Sequence, residues 1–345
     1  MVLMMKNNRF LKSLWPVILL CYMQTAYSAS TPQWVNEASE TYPHEEFVSA
    51  TGSASQPELA KDRALANLMK VFELKIREDS TTRSDTQVDI KDEKENVKKS
   101  SRLQQQISIR TDKVIDGARI AETWFDDEVL TYHALAVLER KQAGNNIRQE
   151  MSRLDDETET ELAQSKAQKD PLRVMANLYQ AIENQKQRLV LQNMLKVVDL
   201  SGRGRTSLFS LADLNGRLET FLADMKMAAA TDNDPLGGLE QTLKSAMGNA
   251  GFPASNGMPD YTLVIGLDVQ DLGKREGWYW LRGKLSLKLI ESSSGKIRGR
   301  KQWPLKVSAL QRTETDSRLM TQVSKALNND LKTVILSFAT GKNEN

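Results

Sequence analysis

Residues Asp260–Val269 read DYTLVIGLDV, and residues Trp278–Ile290 read WYWLRGKLSLKLI. Both are short runs of branched, leucine and aromatic residues. Gly273 to Gly277 separates them, which is the signature of strand, turn and strand. Ser292-Ser293-Ser294-Gly295 supplies a second turn, and Lys296–Val307 reads as a third strand. Asp213–Ala228 and Leu236–Gly248 upstream read as helices. Thr315–Phe338 downstream is an amphipathic helix, with Leu319, Val323, Leu327, Leu331, Val334 and Ile335 at helical spacing. Residues 210–345 are therefore expected to form a three-stranded antiparallel sheet with helices, an α+β unit.

Working toward the N-terminus, residues 201–209 (SGRGRTSLF) form the best linker candidate in the chain. Residues 141–200 read as helix with one break at Asp170-Pro171, because proline disfavours helical geometry in the residue before it and then suits a new first turn. A helical hairpin results. Its second arm places Leu178, Ile182, Leu189, Leu191, Leu195 and Val198 mostly on one face.

Residues 29–140 form the remaining domain. Phe47–Gly52 reads as a strand closed by glycine, and Pro57 opens a helix whose apolar positions recur to Ile76. Small residues at Ala60, Ala64 and Ala66 let that helix lie close to a sheet. Residues 78–106 are polar and read as a solvated helix or arm. Gly117 restarts the pattern, and the runs around Trp124 and Tyr132–Leu138, split by Asp126-Asp127-Glu128, predict a β-hairpin with an apolar face. The whole is α+β: an N-terminal α/β open-sandwich-like domain, the hairpin, and the C-terminal sheet.

Residues 1–28 read as a signal peptide. Lys6, Arg9 and Lys12 make a positive start, and Leu14–Cys21 is an apolar core shorter than the roughly 20 residues a spanning helix needs. Ala26-Tyr27-Ser28 suits cleavage before Ala29. A lipidated Cys21 would want a small residue before it, and Leu20 stands there, which argues against lipidation. With 47 basic and 45 acidic residues the full chain carries +2; residues 1–28 hold three bases and no acid, so without them it carries −1. The only cysteine leaves with them, which suits an oxidising compartment.

Composition also narrows the chemistry. A chain with two histidines and one cysteine excludes a four-cysteine zinc site and leaves little for a histidine-built one. His44 and His133 lie 89 positions apart in unlike contexts. No G-x-S-x-G elbow is present. Gly202 and Gly204 lack the order of a nucleotide loop, and Asp126 with Asp127 reads as solvated turn chemistry. No cofactor, metal or catalytic residue is expected. The balanced charge argues against nucleic acid as a partner. The strongest constellation pairs Trp278, Tyr279 and Trp280 with Arg298, Arg300, Lys301 and Trp303, a candidate interaction face, since Trp and Tyr concentrate at interface hot spots.

Pro32-x-Trp34-Val35, the Ala50–Ala54 strand end with Gly52, the helix with Ala60 and Ala64, Gly117, Trp124 and the Tyr132–Leu138 strand follow one another in an order that resembles the Lpp-twenty-like membrane-associated lipoprotein family of bacteria. The Pro259–Gly266 strand after the Gly251 break is similar, more distantly, to α/β domains of the TolB N-terminal, flagellar T-ring and Lpo activator types. These resemblances imply a non-enzymatic protein of the Gram-negative periplasm, associated with the outer membrane. It would act in assembly or scaffolding of an envelope complex, flagellar-ring related, with regulation of peptidoglycan synthesis as the alternative and an envelope hydrolase as a third. An envelope complex or the outer membrane is the implied partner, and the oligomeric state is left open.

Overall fold

A computed structural model describes residues 31–84, 117–253 and 258–341. The segment read as a signal peptide, with Cys21, and the polar stretch beyond Ser84 lie outside the described residues.

The N-terminal unit comprises α1 (Gln33–Asn36), β1 (Phe47–Ala54), α2 (Pro57–Ser84), β2 (Arg119–Asp126) and β3 (Thr131–Glu139). Its sheet has the order β1-β3-β2, antiparallel throughout. The central strand is continuously apolar from Ala134 to Leu138 because both of its faces are covered. Ala134, Ala136 and Leu138 meet α2, while Leu135 and Val137 meet Trp34. Helix α2 presents Ala60, Ala64, Leu68 and Phe72, a four-residue stripe that is wholly buried. The small alanines bring the helix backbone onto the strand backbone. A Cβ at Gly52 would overlap main-chain atoms of Ala60 and Ala64. The same helix covers the outer edge of β1: Arg63 donates to the Ser53 carbonyl (2.6 Å) and Asn67 to that of Thr51 (2.8 Å).

Strand β3 runs straight into α3 (Arg140–Ala167), which packs antiparallel on α4 (Pro171–Val198). Arg140 pins the joint. Its guanidinium donates to the carbonyls of His44 (2.7 Å), Phe47 (3.2 Å) and Val197 (2.6 Å), and burial lowers its pKa. Asp170 caps α4 by accepting from the Leu172 amide (3.0 Å), and Pro171 fills the first position.

Each 28-residue arm is about 42 Å long and reaches from one hydrophobic core into another. Ile147, Met151, Leu191 and Met194 belong to the N-terminal core; Leu162, Met175, Leu178 and Ile182 belong to the C-terminal one. Between the cores lies a buried polar layer. Arg188 and Asp155, both 3 % exposed, pair at 2.8 Å. Gln185 donates to Asp155 (3.0 Å) and to Thr158 (2.9 Å). The segment 201–209 runs along α4 and closes the layer, with the Thr206 carbonyl accepting from Arg188 and Ser207 donating to Gln185.

The C-terminal unit contains α5 (Leu211–Asp224), β4 (Met227–Asn233), α6 (Leu239–Asn249), β5 (Tyr261–Arg275), β6 (Trp278–Glu291), β7 (Ile297–Ala309) and α7 (Arg312–Thr340). The predicted antiparallel meander is β5-β6-β7, but the sheet has four strands, not three. Strand β4 adds to its edge, parallel to β5. The correction is physical: Met227-Ala228-Ala229-Ala230 is a good helix former in isolation, and only pairing with β5 makes it a strand.

Helix α7 covers one face of the sheet with Leu319, Val323, Leu327, Leu331 and Ile335, against Leu281, Leu285, Leu287 and Leu289. Glycine sits where that helix presses hardest. Phe338 lies on Gly299, and a Cβ at Gly283 would come within 2.9 Å of Leu319. Among the described residues, no helix is long and apolar enough to cross a membrane.

Candidate interaction surface

Alternation along β5, β6 and β7 gives the sheet two unlike faces. One is packed on α7. The other carries half-buried and exposed side chains, and it is dominated by cations on the β6–β7 half. The register sets Arg282 across from Lys306, Lys288 across from Arg300, and Lys284 across from Pro304. Like charges directly opposite on a sheet are destabilising, so this arrangement costs the fold something.

Part of the charge is answered on the β4–β5 half. Lys288 reaches across β5 to Asp232 at 2.7 Å, and Asp268 lies across from Lys284. Gly266 leaves the space that the Asp232 carboxylate occupies. Lys306 sits over the Trp280 ring, 4.7 Å from its centroid, a cation–π contact. Among the described residues no carboxylate forms an ion pair with Arg282, Lys284 or Arg300.

The seven residues singled out from sequence do not form one face. Trp278, Tyr279 and Trp280 lie at the β5–β6 turn, near Ser308 and Ala309, whereas Arg298, Arg300 and Lys301 lie at the other end of β7. Trp278 and Trp280 share the open face; Tyr279 alternates with them and lies under Lys274, 5.2 Å from its ring centroid. Trp303 is buried, and its indole donates to Asp330 of α7 (2.9 Å). Arg298 departs from the regular register at a bulge and points to the hairpin. It donates to Asp170 (2.8 Å) and Glu291 (3.3 Å), while the Tyr261 hydroxyl donates to the other Asp170 oxygen (2.7 Å).

This cluster fastens the hairpin turn to the sheet. Burial works to raise the Asp170 pKa, but the bonds from Arg298, Tyr261 and the Leu172 amide outweigh it and hold the carboxyl below its ordinary range. Burial, and then the bond to Asp170, push the Tyr261 hydroxyl well up, so it stays protonated and donates.

The residues that resembled the lipoprotein family are packing positions. Trp34 is buried against Leu135 and Val137; Gly52 admits Ala60 and Ala64; Gly117 lies beside Leu138; Trp124 stacks by His133 at 5.3 Å; and Tyr132 meets Phe125 at 4.5 Å. Asp126 accepts from the Glu128 and Val129 amides (3.0 and 3.3 Å), so it shapes the hairpin turn. His44 contacts Arg140 at 3.1 Å, just past the end of β3, whereas His133 lies near the start of that strand, across from Ser53. Arg282, Lys284, Lys288 and Lys306 escaped the sequence reading. For Arg282, Lys284 and Lys288 the signal was their even spacing in RGKLSLK, two and four residues apart, which sets them on one face of a strand.

No curated protein matches the chain. Among solved structures, the secreted protein HP1454 from the human pathogen Helicobacter pylori is similar over 86 % of this chain and 99 % of that one, at 11 % identity and a TM-score of 0.43. A minor lipoprotein from Acinetobacter baumannii is similar over 34 % of this chain and 92 % of its own, at 14 % identity and a TM-score of 0.26. Protein XCC0632 from Xanthomonas campestris is similar over 34 % and 89 %, at 12 % identity and a TM-score of 0.28. Residues 32–139, the segment that holds Trp34, Gly52 and Tyr132, match the model of the LPP20 lipoprotein family.

Proposed function

We propose that this is a non-enzymatic envelope protein of the Gram-negative periplasm, associated with the outer membrane, that acts as an assembly or scaffolding factor in an envelope complex. The observation that carries this reading is the division of labour along the chain. A family-matched lipoprotein-type unit at one end is joined, through a helical hairpin shared by both cores, to a sheet that leaves one face open. A pair of 28-residue helices joins the two bodies through both of their cores, which is the kind of rigid link a scaffold requires. The family match supports the envelope address. The Leu20 side chain before Cys21 supports association without a lipid on that residue.

Cell fractionation combined with crosslinking mass spectrometry tests this reading. The protein is expected in outer-membrane fractions, without radiolabelled palmitate on Cys21, and crosslinked to an envelope assembly. Crosslinks to flagellar basal-body rings would specify the complex; crosslinks to a peptidoglycan synthase would replace it with the regulatory alternative. Recovery in the cytoplasm would overturn the envelope reading, and palmitate on Cys21 would overturn the unlipidated form.

A further inference from the structure

We propose that the open face of the C-terminal sheet docks on a membrane surface rich in anionic lipid, with the β5–β6 turn dipping into the headgroup layer. The inference rests on the envelope reading only for the presence of such a surface. Three observations carry it.

The first is charge. Arg282, Lys284 and Lys288 follow one another along β6, and Arg300 and Lys306 lie beside them on β7. Even-numbered steps keep them on one face, with Arg282 and Lys284 about 7 Å apart and Lys288 about 13 Å further along the strand. Two of the cross-strand pairs are like-charged, Arg282 with Lys306 and Lys288 with Arg300, an arrangement that an external anion would relieve. Among the described residues, the acids of this face are Asp232 and Asp268. Asp232 is held by Lys288, and Asp268 accepts from Asn233 at 2.9 Å. Both belong to the β4–β5 half, so the β6–β7 half is the one that meets the lipid.

The second is where the apolar groups lie. Trp278 is 40 % exposed and Leu310 is 60 % exposed. The pairing of Tyr279 with Ala309 puts them at the same end of the sheet, beside Lys274 and Trp280. Tryptophan at headgroup depth with lysine and arginine around it is the pattern of a membrane–water interface.

The third separates a lipid surface from a protein partner. Protein interfaces are depleted in lysine at their centres and place aromatic anchors there. Here Lys284 occupies the middle of β6 with Lys288 beyond it, and the aromatic residues stand at the strand's start. A broad array of headgroup phosphates accepts that arrangement; the desolvated centre of a protein interface does not.

The test is co-sedimentation of the purified protein with vesicles, read against a triple variant, Arg282→Gln/Lys284→Gln/Lys306→Gln, and a second variant, Trp278→Ser/Leu310→Ser. The wild type is expected to bind vesicles of phosphatidylglycerol and phosphatidylethanolamine, to release them as salt rises, and to leave phosphatidylcholine vesicles unbound. At about fivefold per cation near an anionic surface, the triple variant should bind at least tenfold more weakly, with roughly 100-fold as the ceiling. Its thermal unfolding should be unchanged or slightly raised, because the three side chains are exposed and one like-charged pair is removed. The second variant should weaken binding while keeping the salt dependence. Equal binding to both lipid compositions, no binding at low salt, or a folded triple variant that binds like the wild type would each overturn the proposal. So would binding to soluble polyglutamate with none to vesicles, which would favour an acidic protein partner. Vesicle binding is read outside the cell, so its failure leaves the fractionation result standing, and a cytoplasmic location leaves the vesicle result standing.

Discussion

The two sheets of this protein are built from similar strands and finished differently. The N-terminal sheet is covered on both faces, by α2 on one side and the Trp34 segment on the other, and its central strand is apolar from Ala134 to Leu138. The C-terminal sheet is covered on one face by α7 and bears a cation-rich opposite face. A sheet closed on both sides uses its sequence for packing, and its family-matched positions, Gly52, Ala60 and Ala64, are ones where backbone meets backbone. A sheet open on one side has half of its residues available for something other than stability. The difference shows where mutation should damage the fold and where it should damage binding.

The most damaging way to break this comparison is at the layer between the two cores. Replacing Arg188 by methionine leaves Asp155 buried without its partner, and a loss of about 3–5 kcal/mol is expected in urea unfolding. Pairing Arg188→Met with Asp155→Leu should recover most of it. If the double variant lost as much as the single, the layer would be holding the structure by something other than charge compensation.

The next effect contrasts two glycines, one in each sheet. Gly52→Ala forces a methyl group into the backbone of α2 and should cost about 3 kcal/mol, the upper end for overpacking. Gly266→Ala meets the Asp232 carboxylate and, less closely, the Ser286 hydroxyl, both movable side-chain ends, and should cost less than about 1 kcal/mol. Equal losses in thermal unfolding would contradict the difference drawn between the closed and open sheets.

A smaller effect tests the fastening at Asp170. Its pKa is lowered by folding, so its contribution is present above the ordinary carboxylate value near 3.8 and is lost as pH falls through the lower folded value. Tyr261→Phe removes one of the bonds that lower it, and should cost about 1 kcal/mol near neutral pH. The variant's melting temperature should therefore fall less steeply than the wild type's below pH 4. Parallel curves would remove Asp170 from the acid response. The smallest effect belongs to the open face: Lys306→Gln ends one like-charged pair and one cation–π contact, and stability should stay within about 0.5 kcal/mol.

Much of this fold was legible because burial writes itself into spacing. The stripe Ala60, Ala64, Leu68 and Phe72, the break at Asp170-Pro171 and the three strands of the meander are local patterns with local causes. Strand β4 was hidden because its alanines carry helix propensity and its strand state comes wholly from pairing with β5. The interaction face was half legible. Aromatic and basic residues are visible in sequence, but their separation to opposite ends of β6 and β7 is a matter of cross-strand register, which no single strand encodes. The same register turns Arg298 and Trp303 from surface candidates into packing and anchoring residues.

The outermost strands have a further consequence. An unpaired strand edge is a template on which another chain can assemble. Arg63 and Asn67 of α2 already occupy carbonyls along β1. Strand β7, with 13 residues, has Pro304 at its middle and Arg298 at a bulge near its start. Proline offers no amide hydrogen, and a bulge breaks the repeat that a new strand would copy. These two edges are therefore protected against edge-to-edge fibril growth. Substituting Pro304 by valine would remove a safeguard against aggregation while leaving the folded molecule nearly unaltered.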